Sequence, residues 1–256
     1  MRCWLRFEYA GVQGFGAVLG DTVAVYEGDM LAGTAQPTAR TLPLKSVRVL
    51  TPTVPTKMIA LWNNFDALAA KLKLSKPAHP LYLFKAANSF LASGETIRKP
   101  KFYDGRVVFE GELGIVIGKR CHGIDVREAG EAIFGYTCVN DVTAIDVLDA
   151  DSSFAQWSRA KSFDTFGAFG PVVVTGLVPE ELTIRTTLDG VERQHIPVSD
   201  MTIKPLEVVS RLSHDMTLYP GDVIACGTSI GAGRMKPGST IAVSIEGIGT
   251  LENRFE

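Results

Sequence analysis

Glu110 and Glu112 stand two residues apart in an otherwise apolar run, Val107-Val108-Phe109-Glu110-Gly111-Glu112-Leu113-Gly114-Ile115-Val116-Ile117-Gly118. A strand alternates its side chains, so both carboxylates project from one face, about 7 Å apart along the chain. Burying two acids together is costly without a positive partner, and a divalent cation supplies one. Hard oxygen donors of this kind select Mg2+, Mn2+ or Ca2+. The plainer alternative is an edge strand whose acidic face meets water. Asp141, closing the apolar run from Gly135 to Val142, is a third ligand candidate, although Asn140-Asp141 would equally well begin a turn.

Lys161 lies among aromatic and apolar neighbours in Gln156-Trp157-Ser158-Arg159-Ala160-Lys161-Ser162-Phe163-Asp164. Such a lysine can titrate in a reaction or fix a substrate carboxylate, and its ordinary alternative is a surface pair with Asp164. Gly227-Thr228-Ser229-Ile230-Gly231-Ala232-Gly233 follows a strand and can offer N–H groups and the Thr228 hydroxyl to an anion, or be a structural turn. It has neither the Lys-Ser/Thr of a P-loop nor dinucleotide spacing. Lys85, closing the strand from Leu81, is counted with Gly227 and Thr228 as a candidate substrate contact. The four histidines show no metal-ligand spacing. His79, in the constrained loop Pro77-Ala78-His79-Pro80, is the one retained as a catalytic candidate.

The elements that must position these groups are mostly strands. Arg2 to Tyr9, Phe15 to Leu19 and Thr22 to Tyr26 alternate as a small β unit, which the Thr-, Pro- and Ala-rich residues 33–46 then break. Thr51-Pro52-Thr53-Val54-Pro55-Thr56 is a stiff connector, dividing a small N-terminal β domain, 1–52, from residues 57–256. Lys57 to Trp62 reads as a buried strand. Asn63 or Asn64 can cap a helix carrying Phe65, Leu68, Ala69 and Leu72 at helical spacing. A helix near Arg127 to Phe134, strands at Val172 to Thr175, and a hairpin turning at Asp189-Gly190 follow. A helix opening at Pro205 and three closing strands complete the chain. The spacing predicts an α+β fold, predominantly β with peripheral helices, and no regular βαβ alternation.

Composition narrows the function. Of 256 residues, 46% are hydrophobic, enough for a filled core. The 26 Lys and Arg against 28 Asp and Glu leave no basic footprint for nucleic acid. No apolar run approaches a membrane span, charges interrupt the first residues where a signal peptide would be apolar, and Cys3, Cys121, Cys138 and Cys226 are scattered. The expectation is a cytoplasmic protein with reduced thiols.

Four segments together resemble the fumarylacetoacetate hydrolase family: Phe109 to Gly118, Gly135-Tyr136-Thr137 through Asn140-Asp141-Val142-Thr143, Arg159 to Asp164, and Gly227-Thr228-Ser229 with Ile245-Glu246-Gly247-Ile248-Gly249. They occur in family order and span most of residues 57–256. The resemblance implies a rolled, mixed β-sheet catalytic domain, usually a homodimer, and a Mg2+ or Mn2+ site at Glu110, Glu112 and Asp141. It also places Lys161 at the family's active-site lysine and Thr228 at a substrate-carboxylate contact. Family members hydrolyse, decarboxylate, hydrate or isomerise 2-oxo and β-dicarbonyl acids, many from aromatic-ring cleavage. Two departures stand out: the lid-helix His and Glu of hydrolytic relatives align with Leu68 and Lys71, and an Arg and a Gln after the Asn-Asp pair are Ile145 and Leu148.

The leading expectation is therefore a metal-dependent hydrolase cleaving a C–C bond in a 2-oxo or β-diketo acid, with the cation stabilising the enolate. Isomerisation or decarboxylation of a 2-oxo dicarboxylic acid on the same metal is the alternative, since neither needs activated water. A catalytically silent relative that kept the fold is the third.

Overall fold

The computed structural model describes residues 1–256 and shows a mostly β molecule with several mixed sheets and peripheral helices. The largest sheet has twelve strands. From edge to edge its main path runs Gln36–Pro43, Thr22–Glu27, Val12–Leu19, Arg2–Tyr9, Gly167–Thr175, Ile133–Asp141, Gly111–Ile117, Val223–Ala225, Met58–Trp62 and Leu81–Lys85. The middle strands carry the apolar runs that the sequence shows, and every residue of Gly111–Ile117 is buried. A five-stranded sheet packs against this middle. It orders Val191–Pro197, Thr183–Leu188, Thr240–Ile245, Gly249–Phe255 and Thr96–Ile97.

The N-terminal strands do not form a sheet of their own. Arg2–Tyr9 pairs antiparallel with Gly167–Thr175, in the register Arg2 to Thr175 and Trp4 to Val173. The break expected at residues 33–46 is also corrected, because Gln36–Pro43 is a strand. Pro37 and Pro43 fit there because the strand lies at the sheet edge, where a missing N–H leaves no partner orphaned.

Two expectations near the chemistry change in detail. The long run from Val107 is two strands, Val107–Phe109 in a three-stranded sheet and Gly111–Ile117 in the large one, so Glu110 sits at the crossing between sheets. The helix Asp66–Leu72 forms, but its N-cap is Phe65, which offers no side-chain bond, and Asp200 Oδ2 accepts from Ala67 N in the first turn. Asn64 instead donates its amide to Ile203 O and Cys226 O and accepts from Ile203 N, tying the end of a buried strand to the segment before Gly227.

Elsewhere local chemistry and structure agree. Asp125 and Glu128 form a capping box on Val126–Ala132. Pro205 opens Pro205–Asp215, which buries Val208, Val209 and Leu212. Asp189 and Gly190 both take positive φ, 52° and 76°, as the tight hairpin turn requires. No helix is long and apolar enough to cross a membrane.

Candidate active site

The strand register builds the acidic cluster. Gly111 pairs with Asn140 across two neighbouring strands, so Glu110 lies beside Asp141, whose N–H donates to Glu110 O at 2.9 Å. Glu112 is the next inward residue. Ligand oxygens of Glu110, Glu112 and Asp141 all lie within 4.8 Å of one another. Glu112 and Asp141 are fully buried, which excludes the water-facing edge strand.

Two lysines answer part of this charge. Lys161, at the end of the helix Trp157–Lys161, donates to Glu110 Oε2 at 2.8 Å and Asp141 Oδ2 at 2.6 Å. The expected surface alternative fails, since Asp164 instead accepts from Asn88. Burial opposes the Lys161 charge, but Asp141, Glu110 and Glu112 outweigh it and hold the ammonium above its ordinary value. Burial likewise pushes Asp141 up, and Lys161 with Lys85 overcomes it, keeping this carboxylate below its usual range.

Glu112 is different. Burial first, then the charges of Asp141 and Glu110, raise its carboxyl well above the ordinary range. Oε2 accepts from Gly227 N at 2.8 Å, while Oε1 is buried with no hydrogen-bond partner. Three carboxylates against two ammonium groups also leave one negative charge unanswered when all are ionised. An orphaned buried oxygen within an all-oxygen donor set fits a hard divalent cation.

A cavity of about 290 Å3 opens beside Glu110. Trp62, Leu68, Lys71, Val108, Ile145 and Thr228 line it. Trp62 packs on Trp157, ring centroids 5.0 Å apart, which fixes the Lys161 helix against the cavity wall.

Not every expected residue reaches this cavity. His79 lies on a separate hollow with Arg211, His214 and Asp215, so the candidate base is not at the site. Lys85 is 2% exposed and spends its ammonium on Asp141 Oδ1, Lys161 O and Val142 O. It therefore positions Asp141 and has no free face for a substrate. The Gly227 N–H is likewise committed to Glu112. Thr228 lines the cavity, with its hydroxyl donating to Gly111 O at 2.9 Å.

Three site residues were not found by sequence reasoning. Thr143 donates to Glu110 Oε1 at 2.7 Å, and Asn140 Oδ1 accepts from Glu110 N. Both flank Asp141 in the motif itself, which was the available signal. Gln194, 1% exposed, accepts from Gly111 N. Its only signal is a polar residue at an inward position of an alternating strand.

Known proteins resemble this chain in sequence and fold. The fumarylacetoacetate hydrolase C-terminal family model matches residues 57–256, and an Rv2993c-like N-terminal model matches residues 1–52. Protein Rv2993c of Mycobacterium tuberculosis is 39% identical over 224 residues, covering 86% of this chain and 83% of that protein. The oxaloacetate tautomerase YisK of Bacillus subtilis is 35% identical over 214 residues, 78% of this chain and 70% of its own. The crystal structure of 2-hydroxyhepta-2,4-diene-1,7-dioate isomerase from Mycobacterium marinum superposes with a TM-score of 0.91 at 34% identity, covering 100% of this chain and 98% of that one. With its mixed sheets, its four motifs in order and its acidic cluster, the chain belongs to the fumarylacetoacetate hydrolase family of enzymes.

Proposed function

We propose that this enzyme shifts protons within a 2-oxo acid, as a tautomerase or isomerase, using Mg2+ or Mn2+ held by Glu110, Glu112 and Asp141. The observation that carries this reading is the cavity lining. It contains no histidine, and its one acid, Glu110, is engaged by Lys161 and Thr143. Over it the helix Asp66–Leu72 presents Leu68 and Lys71. Hydrolysis needs a group that activates water, and no free carboxylate or imidazole lines the cavity. Proton transfer needs only a charged group beside the metal ligands, and Lys161, which does not itself line the cavity, is held there by its bonds to Glu110 and Asp141.

The cation, when bound, supplies Lewis-acid polarisation of the substrate carbonyl. The chain supplies the rest. Trp62, Leu68, Val108 and Ile145 hold the carbon skeleton and exclude water. Lys85 and Thr143 fix the two carboxylates that flank Lys161. Lys161 Nζ, held as an ammonium, gives its proton to the enol carbon and recovers one from the enol hydroxyl. The tautomerase and isomerase among the relatives support this reading. Assembly as a homodimer in the cytoplasm belongs to the same reading.

Oxaloacetate is a suitable probe. In Mg2+, its enol absorbance should decay faster with enzyme, without release of CO2, and Lys161→Gln should lower kcat by about 100-fold or more. Incorporation of 18O from water into cleaved products at a comparable rate would instead establish a hydrolase.

A further inference from the structure

We propose that Gln194 is a positioning residue, a clamp whose single amide fixes both the metal-ligand segment Glu110–Glu112 and the cavity loop 227–231. Gly111 N donates to Gln194 Oε1 at 3.0 Å. Gln194 Nε2 in turn donates to Thr228 Oγ1 at 2.9 Å and Ser229 O at 3.2 Å. Thr228 Oγ1 closes the circuit on Gly111 O.

This amide stands where a neighbouring strand is missing. Val223–Ala225 pairs with Gly114 to Val116 and then leaves the ladder, so it offers no partner to Gly111. The polar groups of Gly111 on that side are satisfied by side chains alone. Gln194 arrives from another sheet, on the edge strand Val191–Pro197. A bulge precedes it, because Thr186 opposes Gln194 while Thr187 opposes Glu192, leaving Arg193 unpaired. Bulges of this kind re-aim a side chain. The loop is also seated directly on this bulge. A Cβ on Gly231 would lie 2.0 Å from Arg193 O and 3.0 Å from Gln194 Cγ.

The proposal rests on the 2-oxo acid and metal reading of the site, and two variants separate its halves. Gln194→Glu keeps an acceptor for Gly111 N–H and loses the N–H donors to the loop. Its Mn2+ dissociation constant, by calorimetry, should stay within threefold of the native value while KM for oxaloacetate rises at least fivefold. Gln194→Met loses both contacts, and both quantities should rise about tenfold. Equal changes in the two variants, or none, would overturn the clamp. Amide hydrogen exchange distinguishes its failure from that of the metal reading. Joint acceleration of segments 109–113 and 226–232 in Gln194→Met supports the clamp even if Mn2+ does not bind. Unchanged exchange overturns it, and if Gln194→Met does not fold, the same exchange measured on Gln194→Glu decides for the 226–232 segment.

Discussion

Glu112 bears the greatest electrostatic cost among the three acids, since both lysines serve its neighbours. A carboxyl held above its ordinary value favours folding fully below about pH 4, and that contribution is lost as pH rises. Glu112→Gln removes the titration while keeping an acceptor for Gly227 N–H. In chelator, the variant should melt above the native enzyme at pH 7, with the gap narrowing toward pH 4. Its Mn2+ affinity should fall by about 100-fold or more, because an amide oxygen replaces an anionic ligand. A melting temperature below native at pH 7 would show that the acid is accommodated some other way. Sequence spacing placed Glu110 and Glu112 on one face, because strand alternation is short-ranged, and Asp141 joined them only through the family resemblance. It could not place Lys85, whose hydrogen-bond partners lie 56, 57 and 76 residues away.

At the scale of elements, the glycine between the two acids is a packing requirement. A Cβ at Gly111 would meet Thr186 Oγ1 at 2.0 Å and Gln194 Oε1 at 2.9 Å. Gly111→Ala should cost about 1–3 kcal/mol in urea denaturation, the range of overpacked cores, and weaken Mn2+ binding with it. Asp146, directly after the cavity residue Ile145, grips the Arg106 guanidinium and backbone N–H, and is pulled down to about 2 by those bonds. The stability it adds is present above about pH 4 and is lost as pH falls toward 2. Asp146→Asn should therefore destabilise by no more than about 1 kcal/mol at pH 7, since the pair is exposed, and by less at pH 3. Hairpin and proline-opened helix were legible because each rests on residues within one turn. The strand Gln36–Pro43 was not, because its two prolines are tolerated only at a sheet edge, a property of the assembled sheet.

Across the whole molecule, the first 52 residues read as a domain of their own, and the sheet argues for tighter dependence. Trp4 packs on Tyr26 and Phe15 within the N-terminal strands and on Phe134 beyond them. Residues 57–256 expressed alone should expose the edge of Gly167–Thr175 and aggregate on size-exclusion chromatography. A stable, monodisperse fragment would establish the division drawn at the proline-rich connector.

The pairing of Arg2–Tyr9 with Gly167–Thr175 also sets an order of events during synthesis. The opening hairpin can close as soon as it leaves the ribosome, but one flank must wait for about two-thirds of the chain to be translated. Throughout that interval an unsatisfied strand is held beside a growing apolar polypeptide. Nascent chains should thus need chaperone protection longest at their beginning, and slow translation before residue 175 should lower the yield of folded enzyme.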